Sequence, residues 1–406
     1  MRTAVFCAAL AAALAPANVG AQSLNLTEAD ALARLSAESP RARAVRADVE
    51  VARADVLNAG RWPNPRVTFD RESVAGVTEN IVIVAQPLPI TGRRGFEVRA
   101  ASAMAGAASS RSDDEIRRLR ADLRLAFADL AAAQARERQL TTSRDRLREL
   151  ADVLARREAA GDAAGFDLLR AEREVLEVDT DRALVAIERA RAQAMVASFF
   201  ADVPDPTRII AVAQPSTPTV VPTLDALVES AESTRGELQA LRLEAEAAGF
   251  AQRAADRRRI PEPEVVAGTK SSTAGGDIGS VVTMHASIPL FDRGQPERAL
   301  ALARAARAGA RATAFRLALR GQIAGLRAAV LERRDAAERY RTQAVGIADQ
   351  LERIARVSYD AGERSILELL DAYRTGLSAR VRQATLDAAV RQAEIELEFV
   401  SGWEVR

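Results

Sequence analysis

The chain has one cysteine, one histidine and one lysine among its 406 residues. The cysteine, Cys7, lies in an apolar N-terminal segment that we expect to be removed, which excludes disulfides and thiol chemistry from the mature protein. One histidine provides no zinc-binding spacing, and no glycine-rich phosphate loop follows a predicted strand. These absences argue against an enzyme, and we expect neither a cofactor nor a resident metal.

The chain also lacks an excess of charge. Its 57 basic residues nearly cancel its 56 acidic residues, so nothing predicts a nucleic-acid partner, which would require a basic face. All the basic residues except Lys270 are arginines interleaved with Glu and Asp, a pattern typical of solvated helix faces. Aromatic residues make up 4% and alanine is abundant, which favours close packing between helices.

Beyond the N-terminus the chain has no apolar run of the ~20 residues that a transmembrane helix requires. The N-terminus has a basic start at Arg2, an apolar stretch from Ala4 to Ala15, and the small residues Val19-Gly20-Ala21 before Gln22. This pattern predicts a secretory signal peptide over residues 1–21. Any contact with a membrane must therefore be made by strands.

An internal repeat organises the rest of the chain. The sequence Ala160-Gly161, followed by Leu168-Leu169-x-Ala171-x-Arg173, recurs 201 residues later as Ala361-Gly362 and Leu369-Leu370-x-Ala372-x-Arg374. This duplication predicts a first repeat over 22–202, a Pro/Thr-rich linker over 203–222 and a second repeat over 223–406.

Each repeat reads as a helix, two strands and a long helical hairpin. The first helices are predicted over 27–59 and 224–259, each closed by two prolines, and the hairpin helices over 95–160, 165–199, 295–358 and 365–400. Leu119, Leu123 and Leu130 belong to a coiled-coil seam in the longest helix. Strands are predicted at 67–70, 81–84, 264–271 and 279–290. The fold is thus mainly α-helical with a small β part.

Residues 278–288 alternate between an apolar face and a polar face, as do the strands of membrane β-barrels. Four strands are too few to close a barrel, and an open sheet would leave unpaired edges in lipid. The simplest closure is a barrel shared by several copies, and three copies would provide twelve strands. A soluble coiled-coil protein with two hairpins is the alternative.

This order of elements resembles the TolC-like outer-membrane efflux proteins over essentially the whole mature chain. The specific marks are Gln86-Pro87-Leu88 before Gly92-Arg93-Arg94, Ser287-Ile288-Pro289-Leu290-Phe291-Asp292-Arg293-Gly294, and Tyr359-x-x-Gly362-x-x-Ser365-x-x-x-Leu369-Leu370-Asp371-Ala372. The compact size of the chain and its segment 288–294 are most similar to the heavy-metal (cobalt-zinc-cadmium) efflux branch of this family.

The resemblance implies a homotrimeric duct in the outer membrane of a Gram-negative bacterium, with twelve strands in the lipid and twelve long helices in the periplasm. It implies docking on a periplasmic adaptor (membrane fusion) protein and an inner-membrane pump of the resistance-nodulation-division type. The exported substrates would be heavy-metal cations or small organic compounds. A periplasmic adaptor or structural protein without a pore is the alternative, but an adaptor would have one hairpin flanked by compact β domains.

The predicted functional residues lie at the helical tips. Glu368 and Asp371 are three residues apart and share a helix face, so threefold symmetry would make two acidic rings that attract cations. The resemblance implies that these two residues line a pore constriction. It also implies that Tyr359 and Arg364 close the tip through bonds to neighbouring helices, with Asp167 as an acidic partner.

The two tip turns are the predicted adaptor contacts. They contain Gly161, Gly165, Gly362 and Ser365, and we expect Gly161 and Gly362 to adopt positive φ angles. His285 lies on the polar face of a predicted strand and would face the lumen. A metal site requires several ligands, so we expect none at His285.

Overall fold

The computed structural model describes residues 23–35, 39–160, 165–203, 205–213 and 219–403, so the predicted signal peptide and Gly161 lie outside it. The helices are α1 (Glu28–Arg34), α2 (Pro40–Ala59), α3 (Arg93–Ala159), α4 (Gly165–Ala197), α5 (Leu224–Thr234), α6 (Gly236–Arg257), α7 (Gln295–Arg339), α8 (Gly346–Asp360) and α9 (Ile366–Ser401). The strands are β1 (Leu24–Leu26), β2 (Arg66–Val74), β3 (Val77–Pro87), β4 (Ile209–Ala211), β5 (Pro263–Ser272) and β6 (Ile278–Ala286).

The predicted duplication is visible in the order of elements. In each repeat a broken first helix leads to two strands and then to a long helical hairpin. The 67 residues of α3 extend over ~100 Å. Gly92 and Gly294 precede α3 and α7, with φ angles of 77° and 83°, which glycine adopts without a steric penalty. Both repeats therefore pass from strand to long helix by the same backbone turn.

The prediction of one uninterrupted first helix in each repeat is wrong. In the first repeat Pro40 begins α2, because proline fits the first turn of a helix and disrupts its interior. The Ser39 hydroxyl caps α2 by accepting a hydrogen bond from the Ala42 amide at 3.2 Å. In the second repeat the break lies at Arg235, where the backbone is extended.

Two further boundaries differ from prediction. The last strand, β6, ends at Ala286 rather than at residue 290. The predicted helix over 295–358 contains a π-helical segment, Tyr340–Val345, between α7 and α8. Such a segment fits one extra residue into a turn, and the side-chain periodicity alone does not reveal it.

The predicted linker contains a strand that the sequence analysis missed. In it β4 pairs in parallel with β1, with Leu26 opposite Ala211. Both strands pack on α3 and α4 through a buried cluster that includes Phe127 and Val196, and α5 packs on α7 and α9. We call α1, α5, β1 and β4 the lateral layer. Its strands have three residues each, which is too short for a clear alternating pattern.

The long helices pack side by side into a wall. Near the strands the order of contact is α2, α3, α6 and α7, and towards the tips it is α4, α3, α9 and α8. The lateral layer covers one face of this wall, where Glu28 of α1 accepts hydrogen bonds from Arg124 of α3 and Arg391 of α9. We call the opposite face the open face. On α9 it carries the exposed polar residues Glu368, Asp371, Thr375, Ser378, Arg382 and Thr385.

The four longer strands form one antiparallel sheet in the order β2-β3-β5-β6. The β3–β5 pairing joins the two repeats, and the register places Phe69 beside Val82 and Ala267 beside Val282 on one face. The other face carries the ion pairs Lys270–Glu79 at 2.5 Å and Arg66–Glu264 at 3.0 Å. The predicted alternation of apolar and polar faces is confirmed. Among the described residues, no helix has both the length and the apolar composition of a transmembrane segment.

Gly268 is the residue on which the pairing between repeats depends most directly. A Cβ atom at this position would lie 2.5 Å from the Val82 carbonyl oxygen in the adjacent strand. We predict that Gly268→Ala separates β3 from β5 and lowers the thermal midpoint of the protein in detergent, measured by circular dichroism. The matched control is Gly279→Ala in β6, where the nearest atom would be 3.8 Å away. Equal melting of the two variants would contradict the prediction.

Candidate functional site

The tips of the two hairpins converge on one buried cluster. It is formed by Leu154 of α3, Ala171 of α4, Ala355 of α8, and Leu369 and Tyr373 of α9. Leu154, Ala171 and Leu369 are at most 1% exposed. The repeated Leu-Leu-x-Ala phrase is therefore largely a packing signal in the second repeat, where Leu369, Leu370 and Ala372 are all buried. Its first copy is only partly buried, since Leu169 is 65% exposed.

The turn between α8 and α9 contains Gly362, whose φ angle of 76° confirms the predicted positive value. The Gly362 amide donates to the Tyr359 carbonyl at 2.9 Å, and the Glu363 amide donates to the Ser358 carbonyl at 2.8 Å. Gly165 begins α4, and a Cβ atom there would collide with the Glu158 carboxylate. The Glu158 side chain is flexible and could move aside, so this contact does not by itself require glycine.

Glu368 has a structural role at the start of α9. One of its carboxylate oxygens accepts a hydrogen bond from the Ser365 amide at 3.1 Å, which completes a capping box. The other oxygen pairs with the Arg364 guanidinium at 2.8 Å. The Ser-x-x-Glu spacing was a visible signal for this cap, and the sequence analysis missed it.

Asp371 shares the open face of α9 with Glu368, as their spacing predicted. Its side chain is exposed and makes no hydrogen bond or ion pair with the described part of the chain. Asp371 is therefore the freer of the two carboxylates to attract a cation from solution.

The residues predicted to close the tip are not joined to one another within one chain. Arg364 pairs with Glu368, and Asp167 has no polar partner among the described residues. Tyr359 packs against the tip cluster as a partly buried side chain. The predicted bond between Arg364 and Asp167 thus remains a prediction for contacts between hairpins of neighbouring copies.

One of the polar contacts that join the two hairpins was not predicted from the sequence. Arg374 of α9 donates from Nε to Glu174 of α4 at 2.5 Å, and its other nitrogen donates to the second carboxylate oxygen. Hydrogen bonding to Glu174 raises the pKa of Arg374. Arg374 was visible as the repeat of Arg173, but Arg173 only pairs with Glu177 on its own helix. The position of Arg374 was thus predictable, whereas its partner was not.

A second network ties α8 to α9 and α3. Arg380 donates to Asp349 at 2.7 Å and to Glu352 at 2.5 Å, and Arg146 pairs with Glu352 at 3.3 Å. Glu352 is 9% exposed, so its charge requires both guanidinium partners. Ionic contacts near the tip therefore join α8 to α9 within the second hairpin, and α8 to α3 between the two hairpins.

No group of three or more His, Cys, Asp or Glu side chains within the described residues is arranged to hold a metal ion. His285 lies on the polar face of β6, where its Nε2 atom is 3.4 Å from the Thr283 hydroxyl. The candidate site is thus a charged pair of hairpin tips whose equivalent residues differ in burial and ion pairing.

Comparison with known proteins matches this architecture. The family model described as "Outer membrane efflux protein" matches residues 227–402, from α5 to the end of α9. The chain is 25% identical over 374 residues to the cobalt-zinc-cadmium resistance protein CzcC of Cupriavidus metallidurans, which covers 87% of this chain and 85% of that protein. The chain is thus similar to the outer membrane efflux proteins, and the family model matches it from α5 to the end of α9. The resemblance inferred from the sequence is thereby confirmed.

Solved structures of similar fold support the architecture of the chain. The structure of CusC aligns with a TM-score of 0.77 at 15% identity and covers 94% of this chain and 93% of that chain. The outer membrane protein VceC of Vibrio cholerae aligns with a TM-score of 0.74 at 17% identity and covers 93% and 97%. At this identity the likeness concerns the fold: long helical hairpins combined with a small β part.

We predict that Arg374→Gln weakens the contact between the two hairpins, because it leaves the Glu174 carboxylate, 5% exposed, with one neutral partner at most. Loss of a charge-assisted hydrogen bond to a buried group costs about 2 kcal/mol. Spin labels on α4 and α9 should report a broader distance distribution by electron paramagnetic resonance. Arg173→Gln, which removes the same charge from the equivalent position of the first repeat, should leave the distribution unchanged. Equal distributions in both variants would show that this pair does not join the hairpins.

Proposed function

We propose that this protein is the outer-membrane exit duct of a tripartite efflux system, and that three copies assemble to form it. The observation that carries the proposal is that one chain is an incomplete ring at both ends. Its sheet ends in the outer strands β2 and β6, and towards the tips its helical wall ends at α4 and α8, whose outward sides carry exposed apolar residues. Each of these edges requires a partner.

The sheet supports insertion in a lipid bilayer. Phe69, Val282 and Met284 are 65%, 77% and 70% exposed, on the same face of the sheet. Polar groups at the edges of β2 and β6 cannot remain unpaired in hydrocarbon. Pairing β6 of one copy with β2 of the next satisfies both edges, and three copies provide a twelve-stranded barrel with the apolar face towards lipid.

The helical wall supports the same assembly. Towards the tips, α4 and α8 are the outer helices of the wall. The outward side of α4 carries Leu176 and Leu184, and that of α8 carries Ile347 and Ile354, all between 47% and 66% exposed. Fully burying one such side chain contributes roughly 1.5–3 kcal/mol. Packing α4 of one copy against α8 of the next would close a tube of helices.

In such a tube the open face of the wall becomes the lumen. Glu368 and Asp371 would form two acidic rings that concentrate cations near the tip. Tyr359, Arg364 and Asp167 would hold neighbouring tips together until a partner separates them. The tip turns at 161–165 and 362–365 would contact the periplasmic adaptor, which connects the duct to the inner-membrane pump.

The names of relatives suggest the cargo. CzcC is described as a cobalt-zinc-cadmium resistance protein, and we infer that heavy-metal cations or small organic compounds pass through this duct as well. Acidic rings suit a cationic cargo, because they raise its local concentration without binding it tightly. The energy for export would come from the pump.

Assembly of the trimer can be tested at the outward side of α4. Leu176→Arg should reduce the fraction of protein that migrates as a trimer after mild detergent extraction of outer membranes, because it buries a charge between α4 and the neighbouring α8. Size-exclusion chromatography with light scattering measures this fraction. The control is Val220→Arg, which adds the same charge at an 87% exposed position away from α4 and α8. Undiminished trimer in the Leu176 variant would remove α4 from the proposed interface.

Ion selectivity can be tested at the proposed acidic rings. Asp371→Asn should lower the preference for cations over anions about two- to threefold in planar bilayers, since one of two acidic rings is neutralised. Asp371 is the sharper test because, unlike Glu368, it does not cap α9. The control is Asp360→Asn near the same tip turn, where the carboxylate pairs with Arg356 on its own helix. A reversal potential that Asp371→Asn leaves unchanged would contradict the acidic ring.

A further inference from the structure

The part of α7 that lies nearest the strands has an unusual charge composition, to which the proposed function assigns no role. From residue 298 to residue 331 this helix has seven arginines and no Asp or Glu. The equivalent stretch of α3, counted from Gly92 instead of Gly294, is 96–129 and has six carboxylates. The chain as a whole is nearly neutral, so this stretch is a local concentration of positive charge on one helix.

Three of these arginines form a continuous stripe. Arg304, Arg307 and Arg311 follow the 3–4 spacing of one helix side and lie within an arc of about 60°. All three are exposed, and none forms an ion pair, hydrogen bond or aromatic contact with the residues that the structure describes. The equivalent residues of α3 are Ser102, Ala105 and Ser109, so the stripe belongs to the second repeat alone.

The stripe lies on the open face of the wall. Further along α7, Arg320 pairs with Asp225 of the lateral layer at 3.0 Å, and Arg327 donates to the Pro222 carbonyl at 2.8 Å. Arg320 is about 170° around the helix from the centre of the stripe. The stripe therefore points away from the lateral layer, towards the same side of the wall as Asp371 on α9.

We propose that Arg304, Arg307 and Arg311 form an anion-binding belt in the strand-proximal part of the duct. This inference rests on the proposed trimer, in which the open face is the lumen and each arginine is repeated around the threefold axis. Guanidinium groups bind phosphate and carboxylate oxygens through paired hydrogen bonds, so the belt would select multivalent phosphates and polycarboxylates.

The belt acts independently of the acidic tip. About 50 residues of helix separate Arg311 from the turn at Gly362, which corresponds to ~75 Å. Electrostatic interactions are screened over about 8–10 Å at physiological ionic strength. The duct would therefore present a cation-attracting zone at one end and an anion-binding zone towards the other, so that each zone responds to a probe added on its own side.

The test is block of conductance by tripolyphosphate in planar bilayers containing the full-length protein. Added on the strand side, tripolyphosphate should block the unsubstituted channel. The variant R304Q/R307Q/R311Q should raise the half-blocking concentration about tenfold, because it removes the charges that hold the anion. The control R298Q/R316Q/R320Q removes the same number of arginines from the opposite flank of α7 and should change the half-blocking concentration less than twofold.

The outcomes separate this inference from the proposed function. A conducting channel whose block is unchanged in R304Q/R307Q/R311Q would overturn the belt and leave the duct intact. Absence of conductance in the unsubstituted protein would instead overturn the duct. Loss of trimer in R304Q/R307Q/R311Q would show that the stripe lies between copies, and fewer inserted channels, each with unchanged block, would show that it contacts lipid phosphates. Either of these results would also contradict the belt.

Discussion

The constraint on which this structure depends is the need to pair every backbone polar group at a sheet edge. One chain provides a sheet of four strands whose outer members are β2 and β6. In lipid no water is present to satisfy these edges, so the sheet can exist there only as part of a closed ring. The tandem duplication supplies half of the solution, because it pairs β3 of the first repeat with β5 of the second. We propose that identical copies supply the other half.

The helical wall also has edges that require partners, but the groups exposed there are apolar side chains instead of backbone polar groups. Within the wall, neighbouring helices pack through apolar side chains. Arginine–carboxylate pairs between helices, such as Arg374–Glu174 and Arg380–Glu352, support this packing. A long, narrow wall has little buried volume, so individual ionic contacts matter more to its geometry than in a globular core. The near balance of basic and acidic residues in the sequence reflects this use of charge, and the unpaired arginines of α7 are the exception to it.

Much of this architecture could be predicted from local sequence signals. The alternation in β6 and the glycine at 362 each reflect a short-range physical preference, and the 201-residue repeat is visible when the chain is compared with itself. All three agreed with the structure. The break at Pro40 was also a local signal, but the apolar periodicity on both sides obscured it. In contrast, the partner of Arg374 and the pairing of β1 with β4 depend on residues about 200 positions apart, and no local rule specifies such contacts. The roles of Tyr359, Arg364 and Asp167 depend on neighbouring copies and stay predictions.

The most direct test of the account is an electron cryomicroscopy map of the protein extracted from outer membranes in detergent. We expect a threefold-symmetric particle in which one closed barrel of twelve strands continues into a tube of helices. A particle that contains a single copy, with its four-stranded sheet open at both edges, would contradict it.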